Sequence, residues 1–319
     1  MIKVVSTSDP FLNRFMFWAR ERFPTVNWFS AAIVYLTIKV IIGGVTLGKL
    51  IWSVTDISGV FFVGAHFLIL RILDEHKDFH RDHINHTERP VQRGIIKLSE
   101  LKSVGLAIWG LQILSFLSLT KGSKGEISSA LLGVVVLYTW TLLMTFEFFI
   151  GEWLNKKIGL YSFLHLLVSP LLVWTVTLGL GLNTDEFVIK LMALALTTGF
   201  IYEITRKTKG KEEELLTEPS FSKNWGYQRS LITIALFCFV SIFLSINLLP
   251  NTVSLVGYTG LIYLIFSILQ ISTMVKFIQK PCLKNRKSLE GTGALLAATC
   301  FLIPIIIILL RLESQWKTW

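Results

Sequence analysis

Asp74, Asp78 and Asp82 stand at i, i+4 and i+8 in the stretch DEHKDFHRDHINHTERPVQRG, residues 74–94. On a continuous helix this spacing puts three carboxylates on one face. Like charges so arranged repel, by roughly 0.2–0.5 kcal/mol per pair on a wet helix, and the cost rises at the end of a membrane span. A divalent cation removes the conflict. Mg²⁺ takes oxygen ligands and completes its shell with waters or phosphates. A second acidic stretch lies half a chain away in YEITRKTKGKEEELLTEPSFS, residues 202–222. It carries Glu203, then Arg206, Lys207, Lys209 and Lys211, then Glu212, Glu213 and Glu214. Two acidic clusters, each beside basic residues and on one membrane face, suggest a diphosphate site. Carboxylates hold the metal, the metal bridges the phosphates, and Arg and Lys neutralise the remaining oxygens.

The elements that must position these groups are membrane spans. The chain has 319 residues, of which 52% are hydrophobic and only 16% charged, against about 25% charged in a soluble domain. Mean hydropathy is +0.61. The expected fold is an all-α polytopic bundle, one transmembrane domain over 1–319. Its nine spans are expected near 28–52, 54–73, 103–120, 128–150, 158–182, 186–205, 230–249, 252–274 and 291–311, each long enough to cross a bilayer. Lys39 and Lys49 soften the first boundary and Lys190 the sixth. Nine spans put the termini on opposite sides. With the N-terminus in the cytoplasm, that side carries 22 of the 31 Lys and Arg and the other side four, which orients the protein. The N-terminus and both acidic loops, 74–102 and 206–229, then face the cytoplasm. The net charge of +10 is topological and calls for no nucleic acid. No cleavable signal peptide is visible, and three scattered cysteines read as reduced.

The order Asp74-Glu75-x-x-Asp78-x-x-x-Asp82-x-x-Asn85-x-x-x-Arg89-Pro90-x-x-x-Gly94 resembles the first signature of the UbiA-type intramembrane prenyltransferases. The form is nearest to the branches that make archaeal ether lipids and chlorophyll. The second stretch resembles the family's second aspartate motif, in the loop after the sixth span. Aligned from Tyr202-Glu203, that motif falls on Gly210 and Glu214, so one aspartate is missing and the other is Glu. The resemblance implies Mg²⁺ held by Asp74, Glu75, Asp78, Asp82, Glu203, Glu213 and Glu214. It implies diphosphate contacts from Asn85, Arg89, Lys156 (or Lys157), Arg206 and Lys207, with Asp78, Asp82 and Arg89 as the catalytic core. The implied reaction moves an isoprenyl group from an isoprenyl diphosphate to an aromatic or lipid-like acceptor, which the sequence does not identify. Membrane lipids are the surrounding partner.

Two rival readings stand beside this one. His76, His80, His83 and His86 cluster in the first loop, and many imidazoles are what a membrane di-iron hydroxylase or desaturase uses. A transporter or lipid-binding scaffold would place charges near the bilayer midplane, where Lys39 and Lys190 are candidates without a visible partner. The three readings separate by what they need: both acidic loops, the histidines, or neither.

Overall fold

The computed structural model describes residues 5–46, 48–121, 127–215, 218–249 and 256–316. Lys3, Lys124 and Lys317 of the charge balance, residue 47 of the first expected span, 216–217 of the second loop and 252–255 of the eighth expected span lie outside them. Every regular element among the described residues is helical. In chain order these are α1 (Phe11–Arg22), α2 (Val26–Ile38), α3 (Gly44–Thr46), α4 (Thr55–Lys77), α5 (Phe79–Asn85), α6 (Leu98–Lys121) and α7 (Ile127–Thr145). Then follow α8 (Gly151–Asn155), α9 (Ile158–Leu166), α10 (Val168–Gly179), α11 (Glu186–Lys207), α12 (Phe221–Ile246), α13 (Val256–Gln279) and α14 (Leu283–Trp316).

Among the described residues nine helical stretches are long and apolar enough to cross a membrane, which makes this a multi-pass membrane protein. Their order is the expected one. The fifth is α9 plus α10, broken at Leu167 because Pro170 has no N–H to give Leu166 and its ring crowds the preceding turn. Several limits differ from expectation: the third span starts at Leu98 rather than 103, the fourth ends at Thr145 rather than 150, and the seventh starts at Phe221 rather than 230. The first span runs only Val26–Gly43, closing in a π-helical turn, Lys39–Gly43, so Lys49 lies beyond it. The ninth starts at Leu283 rather than 291, because its first turns carry Lys284, Arg286 and Lys287 and are too polar for a hydropathy reading to see.

The bundle closes by pairwise packing: α2 on α4, α4 on α6, α7 on α10, α10 on α11, α11 on α12, and α14 against α2, α11, α12 and α13. Ile38, Ile41, Phe62, Val176, Leu191, Ile201 and Leu296 fill the interior. Leu114, Val135, Leu236, Phe239 and Ile268 face outward, as helices in lipid require. Neither Lys39 nor Lys190 is alone. Lys39 Nζ meets Asp56 Oδ1 at 2.8 Å, and the buried Tyr35 hydroxyl donates to the same oxygen at 2.5 Å. Lys190 meets Glu186 at 2.6 Å.

Glu75 shows what the first loop needs in order to fold. Its side chain is fully buried. Arg22, the last residue of α1, donates to Oε1 at 2.6 Å, and Arg71 donates to the same oxygen at 2.8 Å. The pair clamps α1 onto the end of α4. Removing one partner of such a pair leaves a buried charge uncompensated. Glu75→Ala is therefore expected to lose about 3–5 kcal/mol of stability, read as thermal unfolding in detergent; an unchanged melting temperature would mean that α1 is not anchored here.

Candidate functional site

The acidic motif is bent at its middle. Backbone N–H of Asp78 bonds Asp74 O at 2.9 Å, and that of Asp82 bonds Asp78 O at 2.8 Å, so the i→i−4 ladder continues. Yet Asp78 has φ −90°, ψ 1° and separates α4 from α5. The three aspartates therefore do not share one straight helix face. Asp74 is the most exposed and pairs with Lys77 at 3.4 Å. Asp78 takes a short hydrogen bond from Arg81. Burial holds the Asp78 carboxyl above the usual aspartate range, against the opposing pull of Lys77 and Arg81. Asp82 is turned inward, only 4% exposed, with a short bond from Arg89 and Arg22 at 4.0 Å. Asn85 closes α5 one residue before His86. Past Pro90 the chain reverses at Gly94, whose φ of 71° lies in the left-handed region that glycine enters without a Cβ penalty.

The second loop meets this motif through a residue that spacing did not single out. Glu218 Oε1 accepts from His86 Nε2 at 2.9 Å, and Oε2 accepts from Lys209 Nζ at 2.8 Å. Asp82, His86 and Glu218 each offer a ligand atom within 4.8 Å of the others. Burial raises the Glu218 pKa, but the hydrogen bond and charge of Lys209, joined by His86, outweigh it, and the carboxyl sits below the usual glutamate range. Lys156 joins the same place: it lines, with Asn155, Glu218, Lys223 and Asn224, a cleft of about 490 Å³. The Asn155 side-chain oxygen is buried with no partner among the described residues.

A second group lies on the inner side. Glu203 is held by Lys207 at 2.6 Å and Arg206 at 2.7 Å. Lys207 Nζ also stands 5.1 Å above the Tyr161 ring, and Lys77 donates to the Tyr161 hydroxyl at 3.3 Å. Arg81 lies between the two groups, within the field of Asp78, Tyr161, Glu147 and Glu218. Asp74, Asp78, Asp82, Arg89, Lys156, Glu203, Arg206 and Lys207 are thus gathered at one end of the bundle. Glu213 and Glu214 are not aimed at the motif. Glu213 takes Arg286 at 2.7 Å, and Glu214 accepts from Ser220 and Ser222 at 2.7 and 2.6 Å, which pins the loop to the N-cap of α12. Glu75 belongs to the α1 clamp. Gly210 cannot carry the missing aspartate: a Cβ there would lie 2.4 Å from Pro281 O.

The histidines do not converge. Both ring nitrogens of His76 face carbonyls, Ile72 O at 2.8 Å and Leu98 O at 3.1 Å. His80 and His83 lie on the Phe79 ring, and only His86 joins the acids. Sequence reasoning missed Arg22, Arg81, Tyr161, Lys209 as a Glu218 partner, and Glu218 itself. The one local signal for Glu218 is Pro219, which holds the preceding residue extended.

A divalent cation suits this donor set. Asp82 and Glu218 present carboxylate oxygens from two different loops, and Mg²⁺ commonly takes one or two carboxylates with waters and phosphate oxygens completing the shell. His86 is a poorer ligand for so hard an ion and serves better to orient Glu218.

No protein-family model matches the chain, and no curated protein matches it in sequence. Its fold is similar to the solved structure of a digeranylgeranylglyceryl phosphate synthase, at a TM-score of 0.59 and 17% identity, over 93% of this chain and 99% of that one. The chain thus has the fold of a UbiA-type intramembrane prenyltransferase.

Proposed function

We propose that this protein is a membrane-embedded, Mg²⁺-dependent prenyltransferase. It moves an isoprenyl group from an isoprenyl diphosphate to an aromatic or lipid-like acceptor. The observation that carries the reading is the meeting of Asp82, His86 and Glu218, whose ligand atoms lie within 4.8 Å of one another although Asp82 and Glu218 are 136 positions apart in sequence, amid Arg89, Arg81, Lys209 and Lys156. A structural ion-pair network does not need carboxylates of two loops facing one another beside a polar cleft. Both acidic stretches and the N-terminus face the cytoplasm in this reading, and the whole chain works as one domain.

Asp78, Asp82 and Glu218 would hold the metal, which supplies positive charge to the departing diphosphate. Arg89, Arg81, Lys156 and Lys209 bind the remaining phosphate oxygens; Arg206 and Lys207 close the inner side. Arg81, Arg89, Arg206, Lys207 and Lys209 are preorganised by their carboxylate partners, so they need little rearrangement when leaving-group charge develops. The isoprenyl tail extends between the helices, where burial is worth about 0.8 kcal/mol per CH₂, and lipid and protein exclude water from the allylic carbon. Calorimetry with geranylgeranyl diphosphate tests this. Binding is expected with Mg²⁺ and not with EDTA; binding of equal strength in both sinks the reading.

A further inference from the structure

His165 carries a bare, buried base beside this site, and the transferase reading gives it no role so far. It lies on α9, two turns in from Ile158 at the acidic end of the helix. Its Nδ1 is 2.9 Å from Tyr161 O. A carbonyl only accepts, so Nδ1 bears the hydrogen, and in the neutral ring Nε2 is left with a lone pair. That nitrogen is buried and has no partner among the described residues. Its neighbour on the same side of the helix, Ser162 Oγ, is buried and unpartnered as well. An unmet polar atom of this kind costs about 1–3 kcal/mol, and two within one turn call for a polar ligand.

The ring is held in place. Tyr161 stacks on it at 4.0 Å between centroids and 17° between planes, and Phe148 meets it edge-on at 6.3 Å. Phe148 owes its position to a left-handed turn over Glu147, Phe148 and Phe149, with φ of 48°, 55° and 60°. Tyr161 is also the ring that Lys77 and Lys207 face. The lone pair therefore sits one aromatic ring away from Lys77 and from Lys207, the latter assigned to the diphosphate side.

We propose that His165 is the general base for the acceptor, and that the acceptor is attacked through an O–H group, an alcohol or a phenol. The proposal rests on the prenyl-transfer reading. In the step, the allylic C–O bond breaks and its electron pair leaves with the diphosphate. The acceptor oxygen forms the new C–O bond, and its proton passes to His165 Nε2, to return to water when the ether leaves. Ser162 Oγ, one turn before His165 on the same helix and likewise unpartnered, is the group assigned to hydrogen-bond the same acceptor. Titratable groups facing the ring are Tyr161 on its own helix, Asp74 and Lys77 at the end of α4, and Lys207 at the end of α11.

The test uses the full-length protein in detergent with geranylgeranyl diphosphate, Mg²⁺, and methanol or glycerol 1-phosphate as the O–H probe. His165→Asn keeps an amide donor for the Tyr161 carbonyl but cannot take a proton. Ether formation is expected to fall about 100-fold, with the acid limb of its pH profile lost. The donor Kd should stay within about twofold of the wild type, the mark of a group that acts on the chemical step rather than on uniform binding. Wild-type protein that binds donor with Mg²⁺ yet makes no ether overturns the proposal. So does a variant that keeps its ether rate, or one that loses donor binding along with it. Failure of wild-type donor binding instead sinks the transferase reading from which the proposal starts.

Discussion

Asp82→Ala is expected to reduce prenyl transfer by about 1000-fold, the scale of removing one preorganised electrostatic group from a site. Asp82 is the innermost carboxylate of the first motif, and it faces Arg89, Arg22 and the Glu218 side of the site. Its loss should leave the protein folded, because Arg22 keeps Glu75 at 2.6 Å and Arg89 is partly exposed. Turnover measured beside thermal unfolding separates the two effects. Asp78→Asn makes the informative contrast. The folded protein holds the Asp78 carboxyl above its ordinary range, chiefly by burial. Such a group contributes stability below its unfolded pKa and loses it as pH rises through the folded value. The wild type should therefore lose this increment on going from acid to neutral pH, and Asp78→Asn should not, while its transfer activity falls as well. If Asp82→Ala keeps near-native turnover, the metal lies elsewhere.

The second large effect falls on the other loop. Glu218→Gln is expected to weaken Mg²⁺-dependent binding of geranylgeranyl diphosphate at least tenfold, about 1.4 kcal/mol. Glu218 is the second-loop carboxylate that reaches the first motif, through His86 at 2.9 Å. Glu213→Gln should leave donor affinity unchanged, since Glu213 serves Arg286. Glu214→Gln should act on stability, through the lost bonds from Ser220 and Ser222. Isothermal titration of the three variants decides between them. A large loss in Glu214→Gln with none in Glu218→Gln would restore the register read from Tyr202 and remove Glu218 from the site.

The contrast between these glutamates marks where sequence reading works and where it stops. The spans were legible because a bilayer imposes a length and a composition on each helix. The first motif was legible because Asp78, Asp82, Asn85, Arg89 and Gly94 lie in one ungapped run, and a local run keeps its spacing when it folds. The bend at Asp78 was not visible, because the i→i−4 bonds survive it. Glu218 was hidden for a different reason. Its partner His86 is 132 positions away, and KEEE is a louder acidic signal than a lone Glu before Pro. Gly210 read as a lost ligand, when the close approach of Pro281 O admits no side chain at all. Arg22 and Glu75 were separated by a whole span, so Glu75 counted with the metal acids rather than with the α1 clamp.

The Lys39–Asp56–Tyr35 contact has a consequence for how the chain enters the bilayer. A lysine inside a lone span raises the cost of insertion, by up to roughly 2.5–3.5 kcal/mol at the span's centre. Lys39 sits in the first span and its partner Asp56 at the start of the second. Gly59 on that second span leaves room for the Tyr35 ring, since a Cβ there would lie 2.0 Å from it. The first span is thus a poor guest on its own and a good one once the second is beside it. The two helices are suited to leave the insertion machinery as one hairpin, with the ion pair already formed, before the chain that carries the acidic motif is completed behind them.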